Sequence, residues 1–240
     1  MVDLSVVIPV YKSANTLVAL HRRLGAVFRS AGLTGEVIYV NDASPDNSVE
    51  MLRSLPETTP FQIVNLRHNL GQSSALLAGM LHCNGNLIAT MDADLQDEPE
   101  VLPKLIHALE SNDIVFAQRS GRYESGTKLV TSALFKSIVH IASSGRIPMQ
   151  AGLFLVIKKN AALRLVPYLP FSPYLIGLIA KEKLTCTAIP VTRRENDLGE
   201  TSYTFRKRMH VAGRFFNTLR MKPVSDVVAS KRWLSSHLAD

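Results

Sequence analysis

From residue 4 to residue 117, short runs rich in Val, Ile and Ala alternate with amphipathic stretches of helix length, and this alternation restricts the chain to few folds. A strand that reaches the next strand through a helix returns in the same direction, so the sheet is parallel and helices cover both faces. The predicted strands are 4–10, 36–40, 62–65, 87–91 and 113–117. Helices are predicted at 15–30, 46–55, 72–82 and 98–110, the second begun by Ser44 or Asp46. Beyond this the rhythm loosens, with 126–143 helical, 153–158 and 185–192 extended, and 205–221 helical. The 240 residues accommodate one α/β domain over 1–204, with halves at about 1–119 and 120–204, and an amphipathic helical tail over 205–240.

The polar segments 11–14, 41–47, 67–71, 92–97 and 118–123 all follow the carboxyl ends of predicted strands, the edge of an open α/β sheet where ligands bind. The segment 87–100, LIATMDADLQDEPE, is the most informative of them. An apolar run stops there in carboxylates. If it is extended, Asp92 and Asp94 point the same way and Ala93 points back into the fold. Two convergent carboxylates repel, and a divalent cation removes that penalty. Oxygen-only ligands favour Mg2+ or Mn2+, with a diphosphate as the natural fellow ligand. The alternative is a solvated acidic turn capping the helix near Glu98 and Pro99.

Apolar residues make up 46% and charged residues 20%, which excludes the disordered class. Cys83 and Cys186 have no CxxC spacing and read as small buried hydrophobes in a cytoplasmic protein. His21, His68, His82, His107, His140, His210 and His237 form no metal-ligand spacing and read as structural or exposed. The longest apolar candidate, 163–180, is broken by Pro167, Pro170 and Pro173, so no membrane span is expected. Of the net charge of +7, +6 lies in 205–240, where eight Lys or Arg face two Asp. With no recognition motif or aromatic platform, nucleic acid is excluded as a partner.

Four motifs occur in order: VVIPVYK at 6–12, VNDASPDNS at 40–48, RHNLGQSSALLAGM at 67–80 and MDADLQDEPE at 91–100. Together they resemble the inverting glycosyltransferases of family 2, which have the Rossmann-like GT-A fold. RRENDLGETSYTFRKRM at 193–209 is similar to the segment that closes the active site in the polyprenyl-phosphate branch, which includes dolichyl-phosphate mannose synthase. The resemblance implies nucleotide-sugar contacts from Pro9, Tyr11, Asp42, Arg67, Gly71, Asp92, Ala93, Arg122 and Arg193. It implies Mg2+ or Mn2+ held by Asp94 and Gln96, catalytic roles for Asp94, Arg119 and Arg194, and a closing segment containing Gly199, Thr201, Ser202 and Tyr203. Asp46 is expected to cap its helix instead. A dinucleotide-binding dehydrogenase is disfavoured because YKSAN follows the first strand in place of GxGxxG.

A hydroxyl acceptor must lose a proton to a base, whereas a phosphate monoester already carries its attacking anion. There is no Asp or Glu from 125 to 181, where hydroxyl-using members usually place that base, which favours a polyprenyl phosphate or other lipid-linked acceptor. Asp97, Glu124 and Glu182 remain as alternatives. Leu153 and Leu155 in PMQAGLFLVIKK (148–159) replace polar positions of the branch. Drawn as a helix, Phe205, Met209, Ala212, Phe216 and Leu219 share a narrow face opposite Arg206, Lys207, His210, Arg214 and Arg220, and Lys231, Arg232 and Trp233 follow. That is a membrane-surface pattern, which places the enzyme peripherally on the cytoplasmic face; the same stripe could instead pack on the protein body or a second copy. The competing readings are a family 2 enzyme that extends a surface polysaccharide through a saccharide hydroxyl, and a catalytically silent subunit that recruits a partner to the membrane.

Overall fold

The computed structural model describes residues 2–119, 137, 139–149, 151–191 and 205–239, without the side chains of 119 and 205–210. Its centre is a 7-stranded sheet in the order β3-β2-β1-β4-β6-β5-β7. The strands are β1 (Leu4–Val10), β2 (Gly35–Asn41), β3 (Phe61–Asn65), β4 (Leu87–Thr90), β5 (Ile114–Arg119), β6 (Leu155–Lys158) and β7 (Cys186–Val191). β1 pairs in parallel with β2 and β4, β2 with β3, and β5 with β7. Among the described strands only β6 runs antiparallel, between β4 and β5. The expected mostly parallel α/β sheet is therefore present.

The helices are α1 (Leu17–Ala31), α2 (Ser48–Arg53), α3 (Gln72–Met80), α4 (Leu102–Leu109), α5 (Lys159–Leu165), α6 (Leu175–Lys181), α7 (Phe205–Arg220) and α8 (Val227–Ser235). Side chains alternate across β1, so Val7 joins the core beneath α3, α5 and α6 while Val6 and Ile8 join the core beneath α1 and α4. α1 buries Leu17, Leu20, Leu24, Val27 and Phe28 at helical spacing and ends at left-handed Gly32. α3 approaches β1 and β2 closely because residue 79 is glycine: a Cβ there would lie 2.3 Å from Val7 Cγ1 and 2.9 Å from Val40 Cγ2.

Several boundaries differ from the sequence expectation. The helix predicted at 98–110 begins as a short 3-10 turn, Pro99–Val101, and the strand predicted at 87–91 stops at Thr90. The apolar stretch 163–180 becomes the end of α5, a 3-10 turn at Val166–Phe171 and α6, divided as its prolines require. Of the helix expected at 126–143, the described residues 137 and 139–142 are helical and Ser143 is a turn. α5 and α6 were not anticipated, and the helical tail expected over 205–240 is divided into α7 and α8. No helix among the described residues is long and apolar enough to cross a membrane.

The buried His21 is satisfied locally. His21 sits 3.2 Å from the Tyr39 hydroxyl and 3.1 Å from the Pro56 carbonyl, and burial pushes its pKa down, so the neutral ring donates through Nε2 and accepts at Nδ1. Burial pushes the thiols of Cys83 and Cys186 up to about 12, in keeping with inert side chains.

The tail docks by a different face from the one drawn on the helical projection. Phe215 and Thr218 are fully buried, whereas Phe216 is 44% exposed. Gly177 of α6 allows the approach, with Thr218 Cβ only 3.0 Å from where its Cβ would be, and Tyr174 N donates to Thr218 Oγ1 at 3.0 Å. Arg214, drawn on the polar face, donates to the carbonyls of Ser172 and Pro173. α8 then packs on the 166–171 turn through Leu234 and Ser230.

Candidate active site

A cleft of about 440 Å³ opens at the carboxyl ends of β1, β2 and β4, where the strand order reverses between β1 and β4. It is lined by Pro9 near the end of β1, Tyr11 and Ser13 after β1, Asp42 after β2, Asn69, Gly71 and Gln72 before and at the start of α3, and Asp92, Ala93 and Asp94 after β4. Seven of the predicted residues meet there. Ser13, Asn69 and Gln72 were missed, although Gln72 lies inside the RHNLGQSS motif and opens a predicted helix.

Each of the four connections facing the cleft contains one left-handed residue: Lys12 (φ 54), Ala43 (φ 51), Gly71 (φ 83) and Leu95 (φ 62). Such conformations cost energy outside glycine and persist only where surrounding bonds over-determine them. Here those bonds are visible. Asp46 accepts from Ser44 Oγ and Ser48 Oγ at 2.6 Å, from Ser48 N at 3.2 Å and, through its other oxygen, from Ala14 N at 3.2 Å. Ser44 Oγ in turn accepts from Lys12 N at 2.7 Å. Partial burial raises the Asp46 pKa, but these donors outweigh it and hold the carboxyl at about 2. Asp46 thus staples the β1 and β2 connections together and bonds Ser48 at the start of α2. The expected cap by Ser44 or Asp46 is not formed: the helix begins two residues later than predicted, and its N-cap is Asn47 with no side-chain cap bond. Asp46 does not line the cleft.

Asp42 is buried and spends one oxygen on Leu70 N at 2.7 Å and the other on Gly71 N at 3.0 Å. Burial raises its pKa and the two amide bonds oppose that shift. Each oxygen keeps a second lone pair, so the carboxylate can hold the loop and still face a ligand. Gly71, at φ 83 and ψ 156, occupies backbone space that only glycine enters readily. The glycine is needed for that turn.

Asp92 and Asp94 both line the cleft, while Ala93 is buried at 4% exposure, as the alternating pattern predicts. Gln72 Nε2 donates to Asp92 Oδ1. The alternation ends at Leu95, whose positive φ turns the chain, and Gln96 is not among the cleft-lining residues. It contributes its backbone N–H, which donates to Asp94 Oδ1 at 3.0 Å. Arg67 is exposed and also outside the cleft lining; its backbone N donates to His237 O at 2.9 Å. Arg122, Arg193, Arg194, Gly199, Thr201, Ser202 and Tyr203 lie outside the described residues, as does the side chain of Arg119. Of the alternative bases, Glu182 accepts from Tyr168 at 2.7 Å and pairs with Arg164 at 3.3 Å, away from the cleft. Asp97 is buried, and Glu124 lies outside the described residues.

Residues 5–164 match the profile of the family described as "Glycosyl transferase family 2". An uncharacterized glycosyltransferase, YkcC, from Bacillus subtilis (strain 168) is 30% identical over 226 residues, covering 93% of this chain and 70% of the relative. Among solved structures, glucosyl-3-phosphoglycerate synthase from Mycobacterium tuberculosis in complex with Mn2+, UDP and phosphoglyceric acid is similar at TM-score 0.66 and 14% identity, covering 92% of this chain and 80% of that one. Mannosyl-3-phosphoglycerate synthase from Rubrobacter xylanophilus is similar at TM-score 0.65 and 16% identity, covering 94% and 77%. S. aureus TarS in complex with UDP-GlcNAc is similar at TM-score 0.58 and 13% identity, covering 98% and 71%.

Proposed function

Because the chain belongs to glycosyltransferase family 2, we propose that it moves a sugar, with inversion, from a nucleoside diphosphate in this cleft to a polyprenyl (undecaprenyl-type) phosphate at a membrane surface. The observation that carries the donor half is the convergence of Asp92 and Asp94 with Asp42 and Gly71 on one cleft at the carboxyl edge of the sheet. The Mn2+ and UDP held by the M. tuberculosis enzyme support the same reading.

The residues fit Mg2+ or Mn2+. Two carboxylates face the cleft, and among the described residues no group of three His, Cys, Asp or Glu is placed to hold a metal. A hard cation bound through one or two carboxylates takes its remaining ligands from phosphate and water. When bound, such a cation neutralises the charge that grows on the departing diphosphate. Asp92 and Asp94 are the residues that would hold it, the first oriented by Gln72 and the second by the amide of Gln96. Asp42 fixes the opposite wall through Leu70 and Gly71.

In the transfer, an oxygen of the acceptor phosphate forms a bond to the anomeric carbon as the bond from that carbon to the diphosphate oxygen breaks, and the electron pair leaves with the nucleoside diphosphate. The phosphate is already anionic, so no base is needed, in agreement with the absence of Asp and Glu from 125 to 181. Arg119, Arg122, Arg193 and Arg194 are proposed to face the leaving group and Gly199, Thr201, Ser202 and Tyr203 to close over it. The +6 charge of 205–240 is proposed to rest on anionic lipid.

The test is incubation with Mn2+, undecaprenyl phosphate and a mixture of nucleotide sugars, followed by mass detection of lipid-linked sugar. A glycosylated polyprenyl phosphate supports the assignment. Product only on a saccharide hydroxyl would replace the acceptor, and absence of both nucleotide binding and turnover would return the silent-subunit reading.

A further inference from the structure

The strand β3 is a sheet edge, paired on one side with β2, and an edge leaves a row of backbone groups open on the other. Residues 237–239 fill the end of that row nearest the cleft. Ala239 N donates to Asn65 O at 2.9 Å, Arg67 N donates to His237 O at 2.9 Å, and Leu66 and Leu238 form an antiparallel bridge. On its inner side the same stretch is held by Leu66 N donating to Asn41 O at 2.9 Å. The connection that continues from it carries Asn69 and Gly71 into the cleft, and its far end is pinned by Asp42 through Leu70 and Gly71.

We infer that residues 237–239 are a positioning segment for the nucleotide cleft: they fix one end of the Leu66-to-Gly71 connection whose other end Asp42 fixes. The segment is itself presented rigidly. Trp233 and His237 stack at 3.8 Å, His237 N donates to Leu234 O at 2.8 Å, and Leu234 is buried while Leu238 packs against the same core. A connection anchored at both ends cannot shift Asn69 without breaking one anchor, so tail docking and cleft geometry are coupled. This rests on the cleft being the nucleotide site, but the coupling itself can be read without a nucleotide.

The deciding variant is Ala239→Pro, which removes the N–H that donates to Asn65 O at an exposed position; Ala239→Val keeps that N–H and serves as the conservative rescue. Leu238→Ser keeps all amides and removes only the packed side chain, giving a milder second variant. Two readings are taken. Amide hydrogen exchange should show Leu70 and Gly71 losing protection about tenfold in Ala239→Pro, with Ala239→Val like wild type and the distant Asn84 and Gly85 amides unchanged. Titration with UDP, GDP or dTDP, each with Mn2+, should show dissociation constants raised about fivefold or more, and turnover should show a raised donor KM with kcat within about twofold. Unchanged protection at Leu70 and Gly71 in a folded Ala239→Pro or Leu238→Ser variant overturns the inference. If the wild-type chain binds none of the three nucleotides, the donor reading fails while the exchange arm still decides this one.

Discussion

Asp94 is exposed and Asp42 is buried, so the two fail differently when changed. Asp94→Ala removes an exposed carboxylate whose Oδ1 accepts from the Gln96 amide, and the melting temperature should stay within about 2 °C of wild type. Calorimetric titration should nevertheless show Mn2+-dependent nucleotide binding lost. Asp42→Asn replaces one acceptor by an N–H donor facing the amide of Leu70 or Gly71, which should cost about 1–3 kcal/mol in urea unfolding. Most of the cleft was legible residue by residue: the family resemblance named Pro9, Tyr11 and Asp42, and the alternation past an apolar run placed Asp92 and Asp94 together at the edge where an open sheet receives ligands. Gln96 was not, since the two-residue alternation that placed it beside Asp94 is broken by a left-handed Leu95 that nothing in its neighbours announces. Ser13 and Asn69 are small neutral side chains whose part in the lining depends on the turns that carry them.

Among elements, α2 and α3 bring the loops to the cleft, and each has a sensitive point. Asp46 ionises in the folded state at about 2, below the value near 4 of an unfolded carboxyl. The folded pKa is depressed, so the stability it contributes is complete above pH about 4 and is lost as pH falls through about 2. Urea midpoints measured from pH 5 to pH 2 should fall more steeply for wild type than for Asp46→Asn. In α3, Gly79→Ala gains helix propensity but drives a methyl into Val7 and Val40, branched side chains with little freedom to turn away. Its net loss should be about 1–3 kcal/mol by thermal unfolding, because overpacking outweighs propensity there. The first half was readable from periodicity because its strands are β-branched and its helices amphipathic. α5 and α6 were not, since each is only 7 residues long, too short for a helical period to stand out, and α6 is buried from Leu175 to Ala180 so that its apolar residues show no face.

At the scale of the molecule, the basic segment 205–240 is both a buttress and a charged surface. Phe215, Thr218 and Leu234 are spent on the body, while Phe216, Arg220, Lys222, Lys231 and Arg232 stay exposed. The helical projection was right about amphipathicity and placed the buried face one residue off, because Gly177 lets the helix settle on Thr218 and Phe215. Flotation with phosphatidylglycerol vesicles should recover the protein at about 0.05 M salt and lose it at about 0.5 M, where screening shortens the reach of surface charge. Lys231→Glu with Arg232→Glu should weaken recovery without altering the melting temperature by more than about 2 °C. The reversed strand β6 has a consequence for how such a chain is made. β4 leaves the ribosome some 65 positions ahead of the partner that covers its outer flank, an interval of several seconds at about 5–20 residues per second. Throughout it the nascent sheet carries a bare hydrogen-bonding margin, the place where a holdase would most usefully grip.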